Sequence, residues 1–186
     1  IDKFLELVDV SEDIKTGIGF EFQTIGPLIA ALTNSSSATG SLFFPMVTEK
    51  FMIEPNISFM YDSDERVYED SNLNEEEESE SYLMINVGLF FINQKSEKLR
   101  TYMGARVGMA TSKSESEYSE TKGKAFLFGP AMGAEYFISE HLSFGGEFTL
   151  RITRSEEEDS DNYYGEYTET ETTTLLVPTL MIRFYF

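Results

Sequence analysis

Apolar and polar positions alternate with a period of two along most of the chain. Over 141–153, HLSFGGEFTLRIT, Leu142, Phe144, Phe148, Leu150 and Ile152 share one parity, while His141, Ser143, Glu147, Thr149, Arg151 and Thr153 share the other. A helix would mix the two sets, whereas a strand sends them to opposite faces. The separation recurs. Segment 51–61 sets Phe51, Ile53, Pro55, Ile57, Phe59 and Tyr61 against Met52, Glu54, Asn56, Ser58 and Met60. Segment 81–92 sets Leu83, Ile85, Val87, Leu89 and Phe91 against Met84, Asn86, Gly88 and Phe90. Segments 14–24, 99–110, 124–138 and 174–186 separate in the same way, and 40–47, GSLFFPMV, is ambiguous in phase. The pattern predicts eight strands, mostly 11–15 residues long.

The connections alternate in length. Those near 48–50, 93–97 and 139–140 are short; those at 25–39, 62–80, 111–123 and 154–173 are long. Strict alternation predicts an all-β, eight-stranded antiparallel up-and-down barrel, with the long loops at one end and both chain ends at the other. The barrel is expected over 14–186. Residues 1–13, IDKFLELVDVSED, form a separate segment with Phe4, Leu5, Leu7 and Val8 among acids, read as a short helix or a strand extension. This opening shows neither the cationic start nor the long apolar stretch of a signal peptide, so numbering is expected to begin after any presequence.

Alternation alone does not say which face points out. A soluble barrel around an apolar ligand alternates too. Three features favour an apolar exterior. Eight of the 13 glycines sit on the polar parity: Gly17, Gly19, Gly88, Gly104, Gly108, Gly129, Gly133 and Gly145. A crowded lumen needs missing side chains, and a solvated face does not. The apolar parity carries aromatics toward both strand ends. Phe20, Phe22, Phe59, Tyr61, Phe126 and Phe128 are expected near the long loops, and Phe51, Phe91, Tyr136, Phe144, Phe184 and Phe186 near the short turns. Two such belts are the pattern of a lipid-facing barrel wall. Pro55, Pro130 and Pro178 lie on the same parity, where each removes a ladder donor and predicts local irregular pairing.

Composition narrows the function classes. Lys plus Arg number 14 against 33 Asp plus Glu, for a net charge of −19, which argues against nucleic-acid binding. Cysteine is absent, which removes disulfides, thiol catalysis and cysteine metal sites. No apolar run approaches the roughly 18–20 residues of a membrane helix.

The chain resembles the small outer-membrane β-barrel proteins of the OmpA transmembrane domain, OmpX and OmpW type. The resemblance rests on the strand pattern over roughly 14–186, on the hairpin-like FFPMVTEKFMIEPNISF, and on the terminal FYF, which is similar to the C-terminal aromatic signal for outer-membrane assembly. It implies that Phe186 is that signal. It further implies a bacterial outer-membrane location, both termini periplasmic, long loops extracellular, and outer-membrane lipid as a partner. Acidic long loops, and the lack of the periplasmic domain of OmpA itself, depart from the type.

The polar parity collects Lys15, Glu21, Glu54, Arg100, Arg106, Glu135, Glu147, Arg151 and Arg183. Four acids and five bases nearly cancel. In so narrow a tube they are expected to meet and plug the lumen, with a gated ion path as the competing reading. His141 falls at the short-turn end with Ser143 on its face, and no catalytic geometry follows from that spacing. No enzyme is expected.

Loop 62–80 holds ten acids and one base, and 154–172 holds eight acids and one base. Asp62, Asp64 and Glu65, or Asp159, Asp161 and Glu166, supply hard oxygens of the kind calcium prefers. The competing and better-supported reading is a solvated, self-repelling surface. Loop 25–39 differs, because Pro27, Leu28, Ile29 and Leu32 form an apolar run suited to a partner, a ligand or neighbouring loops. The leading expectation is a plugged barrel with a structural or partner-binding role at the cell surface, beside other outer-membrane or surface proteins. An OmpW-like channel for small hydrophobic compounds is second, and a lipid-active barrel enzyme third.

Overall fold

The computed structural model describes residues 14–21, 38–66, 76–115, 119–161 and 165–186. The segment 1–13 and the apolar run Pro27–Leu32 lie outside the described residues, as does Phe22. The described chain is entirely strand and turn. The strands are β1 (Lys15–Glu21), β2 (Ala38–Phe43), β3 (Met46–Val47), β4 (Phe51–Arg66), β5 (Glu76–Gln94), β6 (Leu99–Glu115), β7 (Ser119–Phe137), β8 (Leu142–Asp161) and β9 (Gly165–Tyr185).

Each strand pairs antiparallel with its neighbour, and β9 returns to β1, Gly17 opposite Tyr185 and Glu21 opposite Met181. The sheet is therefore a closed cylinder. β2 and β3 are two halves of one barrel strand. Phe43 faces Asn56 and Met46 faces Ile53 in one continuous register, with Phe44–Pro45 between them. Pro45 and Pro55 both fall within this gap, one on each strand. Phe44 N still donates to the Pro55 carbonyl at 2.9 Å, but neither proline has an N–H to return. This break explains the ambiguous phase of 40–47. The irregularity expected at Pro130 is also present: the β7–β8 ladder skips Gly129–Pro130 and resumes at Ala131 opposite Thr149. Pro178 sits opposite Phe148 without a break. Counted by position in the ring, the strands number eight, as the periodicity predicts.

The apolar parity points out. Ile85, Leu89, Phe91, Met103, Met132, Phe148 and Leu180 are all exposed, while Met52, Glu54, Phe90, Glu135, Met181 and Arg183 on the other parity are buried. A surface this apolar belongs in hydrocarbon, where no solvent can hydrogen-bond a stray peptide group and only helices or closed barrels are tolerated. One aromatic expectation changes. Phe20 packs edge-on to Phe184 with centroids 6.4 Å apart, so β1 does not hold Phe20 in the belt at the far end.

The interior is layered. Near the short turns, Val47, Met52, Phe90, Tyr102, Ala131 and Tyr185 pack together. Toward the other end, Met84, Ala110 and Leu127 form a second apolar layer. Polar and charged groups lie between. Glycines make the layers fit: a Cβ on Gly133 would run into the Tyr102 phenol, and one on Gly88 into the Phe90 ring beside Arg106.

The strands outrun their expected ends. Where they are described, the stretches 62–80 and 154–173, expected as loops, are sheet: β4 continues to Arg66, β5 begins at Glu76, β8 continues to Asp161 and β9 begins at Gly165. Pairing stays in register to the tips, with Ser119 opposite Asp161 and Asp161 opposite Gly165. Thr-, Ser- and Glu-rich strands carry little apolar signal once both faces are wet, so periodicity could not find them. Phe186 N donates to Thr16 O at 3.0 Å, which places both described chain ends with the short turns.

Arginine at the middle of the exterior should be costly and at the upper rim cheap. Leu180→Arg is expected to lower unfolding free energy in lipid by about 2–4 kcal/mol and Thr172→Arg by about 0–1 kcal/mol. Urea titration followed by the mobility difference between folded and boiled protein on gels measures both. Equal costs would contradict the orientation.

Candidate functional site

The ion layer follows from the alternation. Along the part of β4 to β9 that carries the apolar wall, alternate residues enter the lumen, which in an eight-stranded barrel is just wide enough for side chains to fill. Arg106 lies at its centre. Its Nη2 donates to Glu54 Oε1 at 2.6 Å. Its Nε and Nη2 grip Glu147 in a two-point clamp at 2.5 and 2.8 Å. Its Nη1 donates to Asn86 Oδ1 at 3.3 Å. Such bidentate geometry suits a guanidinium and not an ammonium.

Glu54 links onward to Arg183, whose Nη2 lies 2.7 Å from Glu54 Oε2, too poorly aligned for a hydrogen bond. Arg183 Nη1 stands 3.6 Å from Glu135 Oε1, and Arg100 reaches Glu135 Oε2 from the short-turn mouth at 3.4 Å. The result is one alternating chain, Arg100–Glu135–Arg183–Glu54–Arg106–Glu147, with equal numbers of each sign. Glu54, Glu135 and Arg183 are 0% exposed. Neutral groups complete the layer. Ser143 and Tyr185 donate to Glu135, Thr149 Oγ1 donates to Glu147 at 2.9 Å, and Asn86 Nδ2 donates to Asn56 Oδ1 at 2.6 Å.

Aromatic rings sheathe the cations. The Arg106 guanidinium sits 5.1 Å from the Phe90 centroid, Arg183 5.4 Å from Tyr102 and Arg100 4.7 Å from Phe137. Ring faces attract cations and exclude water. Below Arg100 an open cavity of about 1070 Å³ faces the short turns, lined by Lys15, Val47, Ile92, Lys98 and Phe137.

Six of the nine charged residues expected in the plug thus meet. Lys15 is exposed at the mouth, and no ion pair among the described residues ties Lys15, Glu21 or Arg151 to the chain. Lys15 and Glu21 belong to the short β1, away from the centre of the layer, and Arg151 lies above it near Tyr82. Sequence reasoning passed over Tyr102, Tyr185, Asn86 and Thr149. Their signal was their parity, which places each on the lumen side.

The remaining candidates fall elsewhere. Asp62, Asp64 and Glu65 are close-set β4 positions, Asp159 and Asp161 lie on β8, and Glu166 lies on β9 opposite Ser160. Among the described residues no three acid or histidine groups converge on a metal position. His141 Nδ1 meets the Tyr185 carbonyl at 2.9 Å, while the Ser143 hydroxyl is committed to Glu135, so the two are not a catalytic pair. On the exposed β6–β7 hairpin, Lys113 lies between Glu115 and Glu120, whose hydrogen bonds raise its pKa.

Removing one member of the chain strands a buried charge. Arg106→Met is expected to cost about 3–5 kcal/mol, and adding Glu54→Gln and Glu147→Gln to recover most of it. Urea unfolding of the single and triple variants in one detergent measures the difference.

The family comparison agrees with this architecture. The outer membrane protein beta-barrel domain family matches residues 15–175. Among solved structures, a major outer membrane protein from Thermus thermophilus superposes with a TM-score of 0.51 at 10% identity, covering 93% of this chain and 98% of that one. Ail, the attachment invasion locus protein of Yersinia pestis, aligns with a TM-score of 0.36 at 14% identity, covering 94% and 99%. No curated relative matches at the sequence level. Closed ring, lipid-facing wall and matched profile together make this chain a member of the outer membrane protein beta-barrel domain family.

Proposed function

We propose that the protein is a non-conducting outer-membrane anchor that carries an acidic β-sheet beyond the bilayer to dock a cationic partner at the cell surface. The carrying observation is the filled interior. Glu54, Glu135 and Arg183 are fully buried and joined to Arg106 and Glu147 across the lumen. A solute crossing here would have to part those pairs and leave charges uncompensated.

The docking part rests on the strand extensions. Residues 153–161 continue β8 past the apolar wall, a rise of roughly 30 Å along the strand. They are paired on both sides, so the extension is a sheet and not a tether. Glu156, Glu157, Glu158, Glu169 and Glu171 are exposed on it. In this reading the long hairpins face the exterior and both chain ends the periplasm. A partner meeting such a surface gains encounter rate from charge complementarity, and loses it as salt rises.

Two measurements test the halves. In planar bilayers the protein is expected to show no steady conductance, and stable ohmic steps would overturn the anchor. In native co-purification at low salt, a basic surface protein should travel with the wild type. It should be lost from the Glu156→Gln/Glu158→Gln/Glu169→Gln/Glu171→Gln variant. Equal retention by both, or isolation always alone, would overturn the docking.

A further inference from the structure

Two cations on the barrel exterior lie at the upper edge of the apolar wall. β7 and β8 send alternate residues outward, and Phe126 and Phe128 face out with ring centroids 6.2 Å apart. Register places Arg154 directly opposite Phe126, and Lys124 opposite Glu156 one step farther from the apolar wall. Lys124 and Arg154 are therefore diagonal neighbours on the outer face, roughly 7–8 Å apart along the backbone. Thr111 lies beside Lys124, and Thr172 beside Arg154. All four side chains are exposed.

The neighbouring lysines are already engaged. Lys113 pairs with Glu115 and Glu120, and Lys122 pairs with Glu120 at 2.8 Å. Among the described residues no ion pair engages Lys124 or Arg154, although Glu156 is the register partner of Lys124. Arg154 is also the one base in 154–172, a stretch with eight acids. These two cations thus sit where the apolar wall ends, flanked by hydroxyls, at the depth of lipid headgroups.

We infer that Lys124 and Arg154, with the hydroxyls of Thr111 and Thr172, bind the phosphate of an anionic lipid in the leaflet at the long-hairpin end. Arginine offers a forked pair of donors to phosphate oxygens and lysine a point charge. The aromatic pair beneath gives the acyl chains a surface to lie on. The site also has an electrostatic reason. A chain of charge −19 whose upper walls are acidic would be repelled from an anionic leaflet, and cations at the contact line offset that repulsion. The inference does not depend on whether the acidic hairpins dock a partner.

The full chain in phosphatidylcholine nanodiscs doped with diphosphoryl lipid A tests it, with bound lipid counted by native mass spectrometry. The wild type should retain the doped lipid preferentially. Lys124→Gln/Arg154→Gln should reduce that preference by about fivefold per cation, so about twenty-five-fold for the pair. Lys113→Gln/Lys122→Gln, which removes the engaged lysines, should change it by no more than about twofold. Millimolar inorganic phosphate should leave retention unchanged. No preference in the wild type, equal losses in the two double variants, or displacement by free phosphate would each overturn the assignment. Gel mobility of unboiled samples confirms that each variant is folded, and Arg154→Lys, which keeps the charge, should retain most of the preference.

Discussion

A peptide group in hydrocarbon has nothing to bond with except another peptide group. That constraint shapes the whole molecule. It requires the sheet to close, and β1 meeting β9 from Gly17–Tyr185 to Glu21–Met181 satisfies it. Closure at this strand number fixes a narrow bore, and a narrow bore fixes what can fill it. Most of the aliphatic and phenylalanine side chains leave through the wall into lipid, while the ions, the small residues and a few packed rings and methionines turn in. Where the β2–β3 strand and β4 lose donors on both sides, at Pro45 and Pro55, the register is kept and Phe44 N still reaches the Pro55 carbonyl.

The ion layer is the second consequence of that bore. Desolvating these charges is expensive, and an apolar core of the same shape would serve stability as well or better. What the layer adds is a set of matched partners drawn from different strands. Arg106 on β6 holds Glu54 on β4 and Glu147 on β8, and Arg183 on β9 joins Glu54 to Glu135 on β7. A strand slipped by one residue would send its ion to lipid and its apolar neighbour to the axis, so these contacts and the exterior wall specify the same register.

Strand identity, orientation and most of the ion layer were legible in the sequence, because burial of one face writes a period of two. Where that cause is missing, the sequence is silent. Where described, the outer parts of β8 and β9 are largely exposed on both parities, so TETETTT looks like loop although it pairs as sheet, and DSDER pairs as sheet with no apolar alternation to mark it. Parity put Lys15, Glu21 and Arg151 among the inward charges, but parity carries no depth, and depth decides which charges touch. The Lys124–Arg154 pair was invisible because the two come together only through the β7–β8 register.

Because the ion layer is balanced internally, the protein's −19 charge is not spread along its axis. It is concentrated in the strand extensions and at the turns. Two copies embedded in the same bilayer therefore hold their like-signed crowns at the same height, with neutral walls between. Their mutual push reaches only about 8 Å at physiological salt and about 30 Å in dilute buffer. Ionic strength thus sets how densely such barrels can crowd in the plane of the membrane, without any change in the barrels themselves.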